Sequence, residues 1–216
     1  MGKIMHDYIS DYIRNLIPEH DGILKELEEY AKENHVPIVH KEMAKFLEFM
    51  MQMKRPKRIL ELGTAIGYSA TLMALNSNAN ITTVDRSEEM IQIAKENIKK
   101  FGLENRIEVL NGECIDVIRS LNEQYDIIFI DAGKGHYEDF FNESLRILKD
   151  DGIIIADNVL FRGMVATDEL LKRRKITIVK RMRKYLDMVS NREDLTTTVI
   201  PMSDGIAITT RRQNNE

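Results

Sequence analysis

Apolar residues in the first fifty positions recur at helical spacing. Ile9, Tyr12, Ile13 and Leu16 form one stripe. Ile23, Leu24, Leu27, Tyr30 and Ala31 form a second, and Met43, Phe46, Leu47, Met50 and Met51 a third. Pro18 and Pro37 fall between the stripes and predict breaks. From residue 58 the period changes, and short β-rich runs alternate with helical stretches. RILEL precedes SATLMALN, ITTVD precedes SEEMIQIAKENIKKF, and RIEVLNG precedes CIDVIRSL. YDIIFID precedes HYEDFFNESLRIL, and GIIIAD precedes a long helix expected over 167–190. TTTVIP and GIAITTR, joined by Met202–Ser203–Asp204 with Gly205 at the end of the turn, predict a hairpin. Such alternation predicts an α/β fold, with parallel strands, right-handed crossovers and helices on both faces of a sheet. A continuous apolar run such as DIIFI suits a central strand buried on both sides.

Composition narrows the classes. The 216 residues suffice for one domain with a substantial core. Apolar residues make up 43% and charged residues 31%, values ordinary for a water-soluble chain. No apolar run approaches the ~20 residues of a membrane span. The N-terminal stretch carries Asp7 and Asp11 and has no apolar core, so no signal peptide is expected. Cys114 is the sole cysteine, which excludes an internal disulfide and a cysteine-built zinc site and fits a reducing cytoplasm. The formal net charge of −4 does not mark the chain as a whole for nucleic acid.

In sheets of this kind ligands bind beyond the carboxyl ends of the strands, so motifs there carry most weight. The first is RILELGTAIGYSA, residues 58–70. Gly63 and Gly67 flank a turn between strand and helix, where glycine permits positive φ and close approach of a ligand. The spacing is neither GxGxxG nor a P-loop, and two glycines alone equally suit an ordinary strand–helix turn. Glu61 closes the strand with a carboxylate able to accept from a cationic amine. Asp85 closes the next strand, where an acid can take both hydroxyls of a ribose. Together, E-x-G-x-x-x-G-Y-S and this acid resemble the class I S-adenosylmethionine-dependent methyltransferases. The resemblance implies a Rossmann-like, mostly parallel seven-stranded sheet with one antiparallel strand and extra N-terminal helices. It implies a single methyltransferase domain over 1–216, with 1–55 a helical cap and 56–216 the catalytic core. It places Glu61, Gly63 and Ser69 at the methionine end of the cofactor, with Asp85 on its ribose; Gly67 belongs to the same cofactor loop, and Tyr68 after it could touch cofactor or acceptor. Gly112, Glu113 and Cys114 would border the adenine, and Val39 would belong to a segment closing over the cofactor. NGECID stands here where relatives often carry GDA.

Asp131, Asp157 and Asn158 end two further apolar runs. Two carboxylates converging in an apolar setting repel each other and are costly to bury, and a divalent cation relieves both penalties. Oxygen-only ligands favour Mg²⁺, or Mn²⁺. The alternative is that Asp131 caps the following helix and Asp157 and Asn158 form a turn. IDA-x-K with ADN resembles the metal-dependent O-methyltransferases of the catechol and caffeoyl-coenzyme A type. That resemblance implies a metal on Asp131, Asp157 and Asn158, with Lys134 as the base. The chemistry is coherent: a sulfonium methyl is already activated, so catalysis needs proximity and an acceptor oxyanion. A bound metal lowers an oxygen's pKa, and Lys134 can take the proton if its own pKa is depressed. The metal demands an acceptor with oxygens on adjacent carbons. His136 is read as a loop residue that could contact substrate, and Tyr137, Phe140 and Phe141 as a core face.

The segment 172–185 holds eight Lys/Arg and no acid. A solvated helix face and a phosphate-binding footprint are both open readings. Lys172, Arg173, Arg174, Lys175, Lys180, Arg181 and Arg183, with Arg162 nearby, are the candidate RNA contacts. The whole chain, including the N-terminal DYIRNLI and HVPI segments and the DNVLFRGMV stretch, is similar to the bacterial tRNA 5-hydroxyuridine methyltransferases, which implies the anticodon loop of tRNA as partner and wobble 5-methoxyuridine as product. A small catechol or caffeoyl-like acceptor is the main rival reading, and a non-catalytic binding module the second. The family resemblance also implies a homodimer.

Overall fold

The computed structural model describes residues 4–213; the outermost residues assigned to the cap and core, 1–3 and 214–216, lie outside them. Three helices come first: α1 (Asp7–Leu16), α2 (Gly22–Glu33) and α3 (Lys41–Lys54). The alternating part follows as β1 (Arg58–Leu62), α4 (Tyr68–Leu75), β2 (Asn80–Asp85), α5 (Glu88–Lys100), β3 (Ile107–Asn111) and α6 (Cys114–Ser120). It continues with β4 (Tyr125–Ile130), α7 (Tyr137–Arg146), β5 (Leu148–Ala156), α8 (Ile176–Asn191), β6 (Leu195–Ile200) and β7 (Ile206–Arg211). The seven strands form one sheet in the order β3-β2-β1-β4-β5-β7-β6. β7 runs antiparallel to both of its neighbours and is the one reversed strand. The expected Rossmann-like architecture is therefore the observed one.

Period-two alternation sorts the central strands between two cores. Ile127 and Phe129 of β4 join a cluster with α2, α3, α4 and α5, including Leu27, Met43 and Leu47. Ile128 and Ile130 face the other way, against Phe141, Tyr137, Met182 and Tyr185 of α7 and α8. Each fully buried side chain of this size contributes about 1.5–3 kcal/mol. β4 is buried along its whole length, which explains its unbroken apolar run.

One element departs from the sequence reading. The helix expected over 167–190 begins only at Ile176, after a three-residue 3₁₀ turn at Arg173–Lys175. The four cations Lys172–Lys175 therefore stand immediately before the N-terminus of α8, and Lys175 is its N-cap. Asp168 is drawn into an ion pair with Arg183 at 2.8 Å instead of capping the helix. Upstream, Asn158, Phe161 and Arg162 all adopt positive φ, so the chain from 157 to 163 is a tightly coiled loop.

Candidate active site

The carboxyl ends of β2, β1, β4 and β5 form one row. Leu62 pairs with Val84 and with Ile130, and Ile130 pairs with Ala156. Backbone bonds carry the ladder one step further: Gly63 N–H donates to Val84 O, Asp131 N–H to Leu62 O and Asp157 N–H to Ile130 O, at 2.9, 2.9 and 3.0 Å. Gly63, Asp85, Asp131 and Asp157 thus leave the sheet side by side. They line a cleft of about 870 Å³ together with Val39, Lys134, Asn158, Phe161, Arg162 and Asp204. Its opposite wall is α1, through Asp7, Ser10, Asp11 and Arg14, and the start of α3, through Glu42.

Gly63 is where the turn needs glycine. Its φ is +110°, and a Cβ there would stand 2.7 Å from the carbonyl oxygen of Asp131. Beneath it, Glu61 is completely buried. Its Oε2 accepts from the Thr83 hydroxyl at 2.5 Å, whereas Oε1 has no hydrogen-bond partner among the described residues. Burial raises its pKa to about 7. Asp85 has three bonds already: Oδ2 accepts from the N–H groups of Thr64 (3.1 Å) and Ala65 (2.9 Å), and Oδ1 from Ser87 N–H (3.0 Å). A carboxylate offers about four acceptor positions, so capacity remains for a ligand hydroxyl.

At the other end of the row, Asp157 is 5% exposed and its backbone oxygen accepts from the buried Tyr137 hydroxyl at 2.7 Å. The Asn158 carboxamide donates to Asp131 Oδ1 at 2.9 Å. Burial raises the pKa of both aspartates; repulsion from Asp131 adds to the rise at Asp157. Asp131 does not cap the helix after it, whose N-cap is His136. Lys134 stands over the Phe161 ring, 5.0 Å from its centroid, and 3.8 Å from Asp204 Oδ2. Burial lowers its pKa, against the pull of Asp204 and the two aspartates. Asp204 also accepts from the Arg162 N–H and, through its backbone oxygen, from Leu160 N–H, tying the coiled loop to the β6–β7 turn.

The donor set suits a hard divalent cation. Among the described residues no cluster of three or more His, Cys, Asp or Glu is placed to hold an ion. The candidate set here is two carboxylates and a carboxamide that can turn its oxygen inward. The buried like-charged pair with raised pKa values is the observation that fits a cation, since its charge would remove the repulsion.

Several expected site residues are not among those that line this cleft. Tyr68 does not line the cleft: it is 3% exposed, and its hydroxyl donates to Glu28 of α2 at 2.5 Å. Gly67 is the N-cap of α4, and Ser69 in its first turn brings its hydroxyl within reach of the buried Glu61 carboxylate. Gly112, Glu113 and Cys114 follow β3; Glu113 pairs with Arg86 at the surface, and burial pushes the Cys114 thiol up to about 12. Of the basic residues, Arg162 reaches the cleft. Arg181 donates to the Gly135 carbonyl at 3.0 Å, bracing the loop that carries Lys134. Lys175 lies 5.8 Å from the Phe161 centroid. Lys172, Arg173, Arg174 and Lys180 are exposed and make no ion pair among the described residues. Arg183 is spent on structure, holding Asp168 and the carbonyls of Val165 and Met164, and is not free for phosphate. Asp204 and Phe161 were not singled out from sequence. Asp204 sits in the turn the hairpin pattern located, but only the strand order brings that turn beside β5.

The strand order, the glycine turn after β1 and the acids ending β2, β4 and β5 define the class I methyltransferase architecture. The O-methyltransferase family model matches residues 15–212, and the chain belongs to that family. It is 29% identical to a catechol O-methyltransferase of Niastella koreensis, over 96% of this chain and 98% of that one. A putative caffeoyl-CoA O-methyltransferase structure from Staphylococcus aureus shares 32% identity with a TM-score of 0.88, covering 95% of this chain and all of that one. An O-methyltransferase from Bacillus cereus, solved in complex with SAH, is 26% identical with a TM-score of 0.82, covering 95% and 97%.

Proposed function

We propose that the protein methylates one of two neighbouring oxygens of its acceptor, with S-adenosylmethionine as donor and Mg²⁺, or Mn²⁺, held by Asp131, Asp157 and Asn158. The carrying observation is the meeting, in one cleft, of a buried carboxylate pair, a carboxamide and a lysine whose pKa burial lowers. When bound, the donor supplies an activated methyl group and the cation lowers the pKa of the acceptor hydroxyl.

The chain's own residues orient and hold. The free Oε1 of Glu61 is an acceptor for the donor's amine, and the remaining capacity of Asp85 suits its ribose. Gly63 lets the backbone come close. Lys134, steadied by Asp204 and Phe161, takes the proton from the acceptor hydroxyl; its lowered pKa makes the neutral amine accessible. The wall formed by α1 limits water at the reacting oxygen.

For the acceptor we propose 5-hydroxyuridine at the wobble position of tRNA, converted to 5-methoxyuridine. Its ring hydroxyl neighbours a carbonyl oxygen, as chelation requires. In support, Arg162 reaches the cleft, Arg181 and Lys175 flank the Lys134 loop and Phe161, and further exposed cations follow. A looped-out base can enter a pocket while phosphates meet such cations. A small catechol-type acceptor is the second reading, favoured by the names of the relatives and by a cleft that needs no basic rim to hold a diol. Exposed Tyr8, Tyr12, Leu16, Phe49 and Met53 support a homodimer, which sedimentation would test.

The deciding experiment offers labelled S-adenosylmethionine with tRNA carrying 5-hydroxyuridine, or with a catechol, in Mg²⁺ and in chelator. Metal-dependent labelling of tRNA alone supports the RNA reading. Labelling of catechol alone replaces it with the small-molecule reading. Labelling that survives chelation removes the metal from the proposal. A non-catalytic module would give no labelling at all and would be indifferent to Asp131→Ala and Lys134→Ala.

A further inference from the structure

The wall opposite the carboxylate row is fastened in an unusual way. No residue of α1 is buried, although four of its side chains line the cleft. Two of its tethers are ion pairs: Arg14 pairs with Glu42 at 2.9 Å, and in the following connection Glu19 pairs with Lys41 at 2.5 Å. A third tether, with two partners, is His20. Its Nδ1 lies 2.7 Å from Glu28 Oε1 of α2, and its Nε2 lies 2.7 Å from Glu48 Oε1 of α3. Ionised carboxylates only accept, so engaging both of them calls on both ring nitrogens to donate, as the imidazolium does. Lys45 balances the second carboxylate, 2.6 Å from Glu48 Oε2. The same Glu28 oxygen receives the Tyr68 hydroxyl, and Tyr68 opens α4 directly after the glycine turn. One side-chain chain thus runs from the root of α1 to the helix behind the donor loop.

We propose that α1 is a movable wall of the acceptor cleft and that His20 is the positioning residue that fastens it, through Glu28 and Glu48, to the start of α4. Its catalytic consequence rests on the reading of the cleft given above; the fastening itself does not. Exposed ion pairs such as Glu19–Lys41 contribute about 0–1 kcal/mol each, so α1 can open locally without unfolding the sheet. The His20 ring is part-buried and holds two partners, which makes it the dominant fastener. Burial alone would lower its pKa; the Glu28 and Glu48 carboxylates outweigh that and raise it. The fastening is therefore complete at low pH and is lost as pH rises through the raised value. The groups facing the ring are Glu28, Glu48 and Tyr68, with Lys45 and Glu19 nearby.

The test is hydrogen–deuterium exchange at pH 6 and at pH 8.5, corrected for intrinsic exchange rates, on the full chain and its His20→Ala, His20→Arg and Glu48→Gln variants, with calorimetric binding of S-adenosylhomocysteine and steady-state kinetics alongside. The expected result is about tenfold faster exchange in α1 for His20→Ala, a smaller change for Glu48→Gln, and unchanged exchange in β4 and α8. His20→Arg, a permanent cation, should restore α1 and remove its dependence on pH. KM for the acceptor should rise about tenfold in His20→Ala with kcat changed by less than about threefold. Unchanged α1 exchange in His20→Ala overturns the proposal, and so does a loss of protection spread evenly over all helices in both weakened variants. A selective loosening of α1 with unaltered KM and homocysteine-ligand binding overturns the positioning role. A wild-type chain that binds the ligand but transfers no methyl group refutes the functional reading, while the exchange result still decides the fastening.

Discussion

Replacing Gly63 by alanine would test whether the glycine turn sets the position of Asp131. The new Cβ would meet the Asp131 carbonyl oxygen at 2.7 Å and its carbon at 3.0 Å, about 0.7 Å inside ordinary contact at the closer atom. Both contacts are backbone, so no side chain can swing aside. The φ of +110° adds strain of about 1–3 kcal/mol for a residue with a Cβ. For a chain of this size that corresponds to a melting temperature lower by about 2–10 °C. The end of β4 must also move by a good part of that overlap. A misplacement approaching 1 Å at reacting groups costs on the order of 10²-fold in rate. Gly102→Ala is the matched control: its φ is +67°, and nothing lies within 4 Å of the added Cβ. Thermal melts and kcat/KM on both variants separate strain from displacement. Gly63→Ala should lose both stability and about 10–100-fold in kcat/KM, whereas Gly102→Ala should lose stability alone. A Gly63→Ala enzyme with wild-type kcat/KM would refute the reasoning.

Lys134→Met should fold normally and lower kcat by about 10²–10⁴-fold, checked by single-turnover methyl transfer. In chelator, stability should fall as pH rises from the ordinary carboxylate range toward neutrality. The reason is that Asp131 and Asp157 bind protons more tightly folded than unfolded; added Mg²⁺ should abolish that slope in melts at pH 5.5 and 8. Asp126→Ala should cost about 1–3 kcal/mol in urea titrations, because it strands the N–H groups of Lys57 and Arg58 and the Lys149 amine. Replacing Arg173, Arg174 and Lys175 together by alanine should reduce the salt dependence of tRNA binding by about two charges while leaving turnover of a small catechol unaltered.

Much of this was visible in the sequence because it depended on short-range pattern. The period-two and period-3.6 runs located all seven strands, and the polar residues ending them marked Glu61, Asp85, Asp131 and Asp157. Parallel strands bring their carboxyl ends to one edge of the sheet, and the strand order then sets β1 beside β4. What depended on long-range contacts was less visible. The role of Asp204 needs β7 to insert beside β5, bringing a turn some seventy residues away against Lys134. Tyr68 follows the glycine turn, yet its ring turns into the core and its hydroxyl reaches α2, a choice set by packing. Arg183 looked like its basic neighbours, but three oxygens of the 164–168 loop claim it. The start of α8 was placed too early because Asp168 is claimed by a long-range ion pair with Arg183, which local periodicity does not register.

The order β5-β7-β6 also bears on how the chain matures during synthesis. Domains tend to assemble from the N-terminal side as the chain emerges. β6 emerges before β7, but it cannot take its place, because the position beside β5 belongs to β7. Until β7 arrives, the growing chain carries an open strand edge along β5, a template for pairing with other chains. The same arrival brings Asp204 to Lys134. Competence for chemistry and protection from misassembly should therefore appear together, at the insertion of the last strand.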